Sequence, residues 1–154
     1  MADDDPWPEY GVTGMASTLS GAGVRLMDTA EILPQTKTVL NALNATVGTL
    51  AAGMITGGSE VVVITTNATP GTQTTRTAVQ MFQDDPSAVI GGGYMLRISN
   101  SGAGTLTLAG GTGVTVTGTA TVATNTFRDF VVVYSGTIAA PVVTITNVGL
   151  GTYT

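Results

Sequence analysis

The larger, C-terminal part of the chain alternates apolar and polar positions with a period of two, which is typical of β-strands that bury one face. Stretches with this pattern occupy residues 61–64, 94–98, 105–108, 114–122, 127–134 and 142–146. Clusters rich in Gly, Asn and Ser separate these stretches and indicate turns. Short strands at such regular spacing predict that residues 59–154 form an antiparallel β-sandwich or β-barrel module.

One stretch inside this region departs from the period of two. Residues 75–82 favour a short helix, because their apolar positions recur at helical spacing. The buried face of this helix would consist of Ala78, Val79 and Phe82. An Asp-Asp-Pro sequence at 84–86 would end it. A strand is the alternative for this stretch.

Residues 28–58 carry a longer period. Apolar side chains recur here at spacings of seven, three and four, a heptad-like seam that predicts one amphipathic helix. The seam consists of Leu33, Leu40, Leu43, Val47, Leu50 and Met54. Pro34 suits the first turn of such a helix and Gly57 its end. A helix over residues 35–54 would be about 30 Å long.

The remaining positions of this helical segment are mostly Thr, Asn and Gly, which are poor helix formers. A helix of this composition is marginal alone and needs partners along its apolar seam. We therefore expect copies of the chain to associate through the seam. A single helix packed on its own domain is the alternative.

Residues 1–27 predict an extended N-terminal attachment arm. Three aspartates at positions 3–5 precede a Pro-Trp-Pro sequence, and four glycines follow before residue 24. Pro and Gly recur too often here for a helix. The single tryptophan is the natural anchor of such an arm. The predicted partner-binding residues are Pro6, Trp7, Pro8 and Tyr10. The alternative is that Trp7 folds back on its own domain.

Composition excludes several kinds of chemistry. The 154 residues include neither Cys nor His, which excludes disulfides, thiolate nucleophiles, Ser–His–Asp triads and the usual zinc sites. The net charge of −5 and the isolated basic residues argue against nucleic acid, and no apolar run is long enough for a membrane span. The N-terminus is acidic where a secretory signal is basic, so we expect synthesis and folding in a cytoplasm.

Threonine takes the place of charge on the predicted strands. Charged residues are 10% of the chain, whereas Thr is the commonest residue, with 29 copies. Because Thr is β-branched, it favours strands and leaves a polar outer face. Thr115 and Thr117, for example, would share one face, with Val114 and Val116 on the other. A sheet with so little charge predicts subunits packed side by side rather than a free monomer.

The acidic residues outside the arm do not indicate a catalytic site. Asp84 and Asp85 are adjacent, and glycoside hydrolysis needs two carboxylates, but Pro86 follows directly and favours a turn. Arg128 and Asp129 are neighbours on a predicted strand, so their side chains would point to opposite faces.

The glycine-rich stretches and the glycosylation sequons also favour a plain structural interpretation. Residues 91–93 and 110–113 lack the Lys-Ser/Thr sequence and the following helix of a phosphate-binding loop, so we expect β-turns. The sequons at Asn44 and Asn67 arise readily by chance in a Thr-rich chain. We therefore expect no catalytic residue, no cofactor and no metal.

Five stretches in the C-terminal half carry a resemblance to a known family. They are Arg-Thr-Ala-Val-Gln-Met-Phe at 76–82, Tyr-Met-Leu-Arg-Ile-Ser-Asn-Ser at 94–101, the Thr- and Gly-rich run at 104–122, Asn-Thr-Phe-Arg-Asp-Phe at 125–130 and Asn-Val-Gly-Leu-Gly-Thr at 147–152. Together they resemble a β-rich module of structural proteins of tailed bacteriophages, including capsid decoration proteins, head fibres and tail-fibre-like proteins. The arm and the predicted helix lie outside the resemblance.

The resemblance implies a virion component, commonly a trimer, with no catalytic residue to carry over. The seam residues would then form the trimer interface. We expect a non-enzymatic capsid decoration (cement) protein that binds the major capsid protein of the assembled head through its arm. It would lie on the outer capsid surface, projecting its β module outward, and would bind neither nucleic acid nor membrane. A tail or neck fibre or spike component that binds the host surface is the alternative.

Overall fold

A computed structural model describes residues 38–153, which form ten strands and one short helix. The strands are β1 (Thr38–Leu43), β2 (Gly48–Thr49), β3 (Glu60–Thr65), β4 (Gly71–Thr74), β5 (Gly93–Asn100), β6 (Leu106–Ala109), β7 (Val114–Thr117), β8 (Thr121–Val122), β9 (Thr126–Gly136) and β10 (Pro141–Thr152). The helix α1 (Ala78–Asp84) lies between β4 and β5. The prediction of a mainly β module is confirmed.

The first six strands alternate between two sheets. Strands β1, β3 and β5 pair in parallel in a six-stranded sheet of order β1-β3-β5-β9-β10-β7. Strands β2, β4 and β6 pair in parallel in a four-stranded sheet of order β2-β4-β6-β8. The chain therefore makes three successive coils, each of which adds one strand to each sheet, in the manner of a β-solenoid.

The remaining strands close this coiled part with largely antiparallel pairing. β9 pairs antiparallel with β5 and with β10, and β8 pairs antiparallel with β6, whereas β7 pairs in parallel with β10. Both sheets are therefore mixed, and the prediction of antiparallel sheets is wrong for the coiled part. A two-residue period is the same in parallel and antiparallel strands, and the turns after β1, β3 and β5 lead to the other sheet rather than back along the same one.

One core lies on the inner faces of both sheets. The six-stranded sheet contributes fully buried side chains from each of its long strands, including Val61, Leu96, Phe130, Tyr134, Val143 and Ile145. The four-stranded sheet contributes Leu106, Leu108 and Val122. The apolar alternation along each strand thus faces one shared interior, which fixes the register of the pairing.

The prediction of a helix over residues 35–54 is wrong in the part that the structure describes. Residues 38–49 form β1, a turn and β2, and β1 pairs with β3 along its whole length. Leu43 and Leu50 are buried in the core of their own chain. The same spacing of apolar residues fits a strand, a turn and a second strand. The Asn, Thr and Gly residues between the apolar positions favour strands and turns over a helix.

The short helix is close to its predicted position. It begins at Ala78 after an N-cap at Thr77, whose hydroxyl accepts from the Gln80 amide at 3.3 Å, while the Gln80 side chain accepts from the Thr77 amide at 3.2 Å. Ala78 and Met81 are buried and Phe82 packs against the core. Val79 is exposed, because Met81 takes the buried position that the sequence assigned to it.

Candidate functional site

The outer face of the six-stranded sheet is the most distinctive surface of the described residues. We use "outer face" for the side of β1, β3, β5, β9 and β10 that points away from the core. Five large aliphatic side chains are exposed on it: Leu40, Ile64, Met95, Val133 and Val142. On the flanking strand β7, Thr115 and Thr117 are exposed while Val114 and Val116 pack toward the core, as the sequence predicts. Aliphatic side chains thus occupy solvent-facing positions that usually carry polar or charged residues in a β-sheet.

Two charges at the centre of the outer face neutralise each other. Arg97 on β5 and Asp129 on β9 are direct partners across the strands. The Arg97 Nε lies 2.7 Å from Asp129 Oδ1, and a terminal guanidinium nitrogen lies 2.9 Å from Oδ2. The hydrogen bond to Asp129 is the main reason that the pKa of Arg97 is raised. A bidentate pair of this kind presents fixed geometry and no net charge.

An aromatic pair borders these charges. The Arg97 guanidinium carbon lies 4.3 Å from the centre of the Phe127 ring, a cation–π arrangement. The Phe127 ring packs directly against Gly151, where a Cβ would overlap it. The Tyr153 ring centre lies 5.7 Å from that of Phe127. Because the guanidinium and Gly151 both contact Phe127, this ring does not offer the open surface on which a sugar would stack.

Arg128, next to Asp129 in sequence, points to the other side of β9, as predicted. Its Nε donates to the backbone carbonyl of Thr121. This arginine therefore holds β8 against β9 and adds no charge to the outer face. The outer face thus combines exposed aliphatic side chains with one paired set of charges. Such a surface is suited to contact with another protein surface.

The adjacent acids Asp84 and Asp85 have structural partners. Asp84 forms an ion pair with Arg76 at 3.2 Å. The buried Asp85 carboxylate accepts from the Ser87 amide at 3.0 Å, from the Ser87 hydroxyl at 2.6 Å and from the Tyr134 hydroxyl at 3.2 Å. The two carboxylates thus fix the turn after α1, in line with the structural interpretation of the sequence.

Two buried tyrosines complete this region. Tyr94 donates to the Ile55 carbonyl, and its ring centre lies 6.1 Å from that of Tyr134. Burial is the main reason that the pKa of each hydroxyl is raised, and the neighbouring Asp85 charge raises both further. Both hydroxyls are therefore neutral at ordinary pH and act as hydrogen-bond donors.

The Asn and Gly residues between the two sheets form a stack of turns that the sequence analysis missed. The Asn67 side chain donates to the Ala45 carbonyl of the preceding coil at 2.8 Å, and the Gly104 amide donates to the Asn67 carbonyl at 2.9 Å. The signal was present as a recurring Asn-x-x-x-Gly-Thr sequence, found at 44–49, 67–72, 100–105 and 147–152. The first three copies span the turns of the three coils, and the fourth lies in β10.

The predicted interface residues do not form one seam. Leu43 and Leu50 belong to the core and Met54 packs against it, whereas Leu40 and Val47 are exposed by 67% and 71%. Leu40 lies on the outer face, and Val47 lies in the turn before β2. The remaining predicted contact residues, Pro6, Trp7, Pro8, Tyr10 and Leu33, lie outside the described residues.

Within residues 38–153, no group of three or more acidic side chains is placed to hold a metal ion. No helix in this range has the length and apolar character needed to cross a membrane. Comparison of the chain with protein-family models, with curated proteins and with solved structures gave no match.

Proposed function

We propose that this chain is a non-enzymatic structural protein of a bacteriophage virion, a decoration protein that binds the assembled head and stabilises it. The observation that supports this proposal best is the outer face, where exposed aliphatic side chains surround a charge pair that cancels itself. Such a surface is suited to lasting contact with protein. The resemblance of residues 75–152 to virion modules points to the same class of protein.

The proposal assigns different tasks to the parts of the chain. The N-terminal arm, through Trp7 and its neighbours Pro6, Pro8 and Tyr10, binds the major capsid protein. The β module faces outward and associates with its copies as a homotrimer. Because many copies bind one shell, weak single contacts add up to firm attachment. Preferential binding to the assembled shell stabilises that state by mass action.

The copy number in purified virions tests the proposal directly. Quantitative mass spectrometry should find tens to hundreds of copies of the chain per particle, scaled to the major capsid protein. A few copies per particle would instead identify a tail or neck fibre, the alternative role. Absence of the chain from virions would overturn the virion proposal altogether.

A point variant tests the role of the arm. The 154-residue chain with Trp7→Ala should bind purified heads that lack the chain at least about tenfold more weakly than the parent chain does. The reason is that an anchor residue contributes much of the binding energy of an interface. Ile138→Ala is the matched control, since Ile138 is 79% exposed and lies in the β9–β10 connection. Equal binding by both variants would contradict attachment through the arm.

A further inference from the structure

We infer that the outer face of the six-stranded sheet is the surface through which copies of this chain associate. The occupant of this face would be the same face of a second copy. A face that meets itself closes a two-fold dimer, whereas a closed trimer needs two different patches on each copy, so this contact is separate from the proposed trimer. It does not depend on attachment to a virion.

The charge of the outer face favours a copy as its partner. A surface that meets itself brings like charges together, so it must be close to neutral. The chain carries a net charge of −5, yet the central Arg97 and Asp129 of the outer face cancel each other. Glu60, at the start of β3, is the remaining charged side chain on the paired strands of this face. This one carboxylate gives little charge complementarity to a basic partner and none to an acidic one.

The outer face also has glycines at several outward positions. Gly93, Gly149 and Gly151 occupy outward positions on β5 and β10, where they add no side chain. The longest side chain at the centre, Arg97, lies against Phe127 and Asp129 instead of projecting. Flat sheet faces can approach to about 10 Å and interdigitate their side chains. This shape allows two copies to pack as layers.

The extent of the outer face is sufficient for stable association. The five strands of the outer face have six to twelve residues each, and at about 4.8 Å spacing and about 3.3 Å per residue they cover about 700 Å² in projection. The corrugated accessible surface is larger than this projection. A stable interface takes about 800 Å² from each partner, so one sheet face is of the right order.

Charge substitution on the outer face is the first test. The variant Val133→Arg should lower the association constant at least about tenfold in sedimentation velocity, because it places like charges opposite each other in the interface. Ile138→Arg adds the same charge at an exposed position outside the paired strands and should leave association unchanged. Far-ultraviolet circular dichroism should show that both variants remain folded.

A thiol-protection measurement keeps the inference testable if a charged variant fails to fold. The chain has no cysteine, so a single Thr144→Cys on β10 reports only on the outer face. It should react with a maleimide several times more slowly in associated protein than in dilute protein. Thr72→Cys, exposed on β4 of the other sheet, should react at the same rate in both.

The outcomes separate this inference from the proposed function. If the protein associates but Val133→Arg does not weaken association and Thr144→Cys is not protected, another surface is used and the inference is overturned. If the protein is a monomer at all accessible concentrations, both the inference and the trimer are overturned. In either case the copy number in virions still decides the virion role. Loss of head binding by Val133→Arg with unchanged association would assign this face to the capsid, and would also overturn the inference.

Discussion

The two parts of the molecule hold their strands together by different means. In the coiled part, residues 38–109, the strands of each sheet pair in parallel. The turns that connect the two sheets lie on one another with their backbones in contact. In the antiparallel part, residues 126–152, β9 and β10 form a hairpin with a short connection and pack large apolar side chains in the core. The stacked turns of the first part touch at glycines, which have no side chain. The second part is held by large side chains in the core.

The glycines make this contrast concrete. A Cβ at Gly104 would overlap the backbone of Thr69, and one at Gly102 would overlap that of Asn67, because adjacent turns touch there. At Gly149 in β10 a Cβ would lie 3.5 Å from the nearest atom, which is ordinary contact. The turn stack therefore specifies the parallel pairing through close backbone contact at glycines and through buried amide hydrogen bonds. The hairpin also has glycines at close contacts, Gly136 and Gly151, but its register follows from a short connection.

The strongest test of this contrast is a methyl group at the stacked turns. Gly104→Ala should lower the free energy of unfolding by about 3 kcal/mol, because two backbones must separate to admit the methyl. Gly149→Ala, the matched change in the antiparallel part, should change it by less than about 0.5 kcal/mol. Urea titration of both variants measures the difference. Equal losses would show that the turns do not depend on close backbone contact.

The buried amide of the third coil gives the next largest effect. Asn100 donates to the carbonyls of Gly104 at 2.7 Å and Val122 at 3.1 Å, and accepts from the Gly102 amide at 3.0 Å. Asn100→Ala removes three buried hydrogen bonds to the backbone and should cost about 2 to 3 kcal/mol. Asn147→Ala removes longer, partly buried hydrogen bonds in β10 and should cost about 1 kcal/mol or less. A smaller loss for Asn100→Ala than for Asn147→Ala would contradict the contrast.

High pH should act on the aromatic core. The pKa of Tyr94 and that of Tyr134 are raised above 10.0 in the folded chain, so the folded state holds protons that the unfolded state releases. Stability is therefore complete below pH 10 and falls above it, by about 1.4 kcal/mol per pH unit for each tyrosine.

Denaturation at several pH values between neutral and strongly alkaline measures this slope. In Tyr134→Phe the slope above pH 10 should be about half that of the parent chain, because one of the two buried hydroxyls is gone. An unchanged slope would mean that Tyr134 does not contribute, and a flat profile in the parent chain would contradict the raised pKa of both groups.

The smallest effect belongs to the exposed ion pair on the outer face. The side chain of Arg97 is 42% exposed, so solvent screens its attraction to Asp129. A double-mutant cycle with Arg97→Met and Asp129→Asn should give a coupling energy below about 1 kcal/mol that shrinks with added salt. It should be measured in dilute protein, where association does not contribute. A large, salt-independent coupling would indicate that the pair is buried, as in an interface.

The sequence allowed the strands to be located but not their pairing. The alternation along β5, β9 and β10 identified each of them, and the Asp-Asp-Pro sequence correctly placed the end of α1. Parallel and antiparallel strands share one period, so the coils were invisible to that signal. The recurring Asn-x-x-x-Gly-Thr sequence was the only local sign of them. The heptad spacing led to the wrong prediction of a helix. Leu43 is the last residue of β1 and Leu50 follows β2, so two core positions of a β structure lie seven residues apart.

The outer face was predictable only in part. Low charge and abundant Thr indicated a sheet surface suited to protein contact, and Thr115 and Thr117 lie as expected. The sequence could not show that Arg97 meets Asp129, because their pairing depends on the register of two strands 32 residues apart. Nor could it show that Leu40 joins this surface, since Leu40 was assigned to a helix.

The coils also make the length of the module adjustable in steps. Thr38 pairs with Glu60 and Glu60 pairs with Met95, so the first coil takes 22 residues and the second, which includes α1, takes 35. Each coil adds one strand to the six-stranded sheet. Inserting or deleting such a unit would change the reach of the protein by about 4.8 Å and leave the closing hairpin as it is. A chain with one coil more or one coil fewer would therefore differ in length by one strand spacing and keep the same closing hairpin.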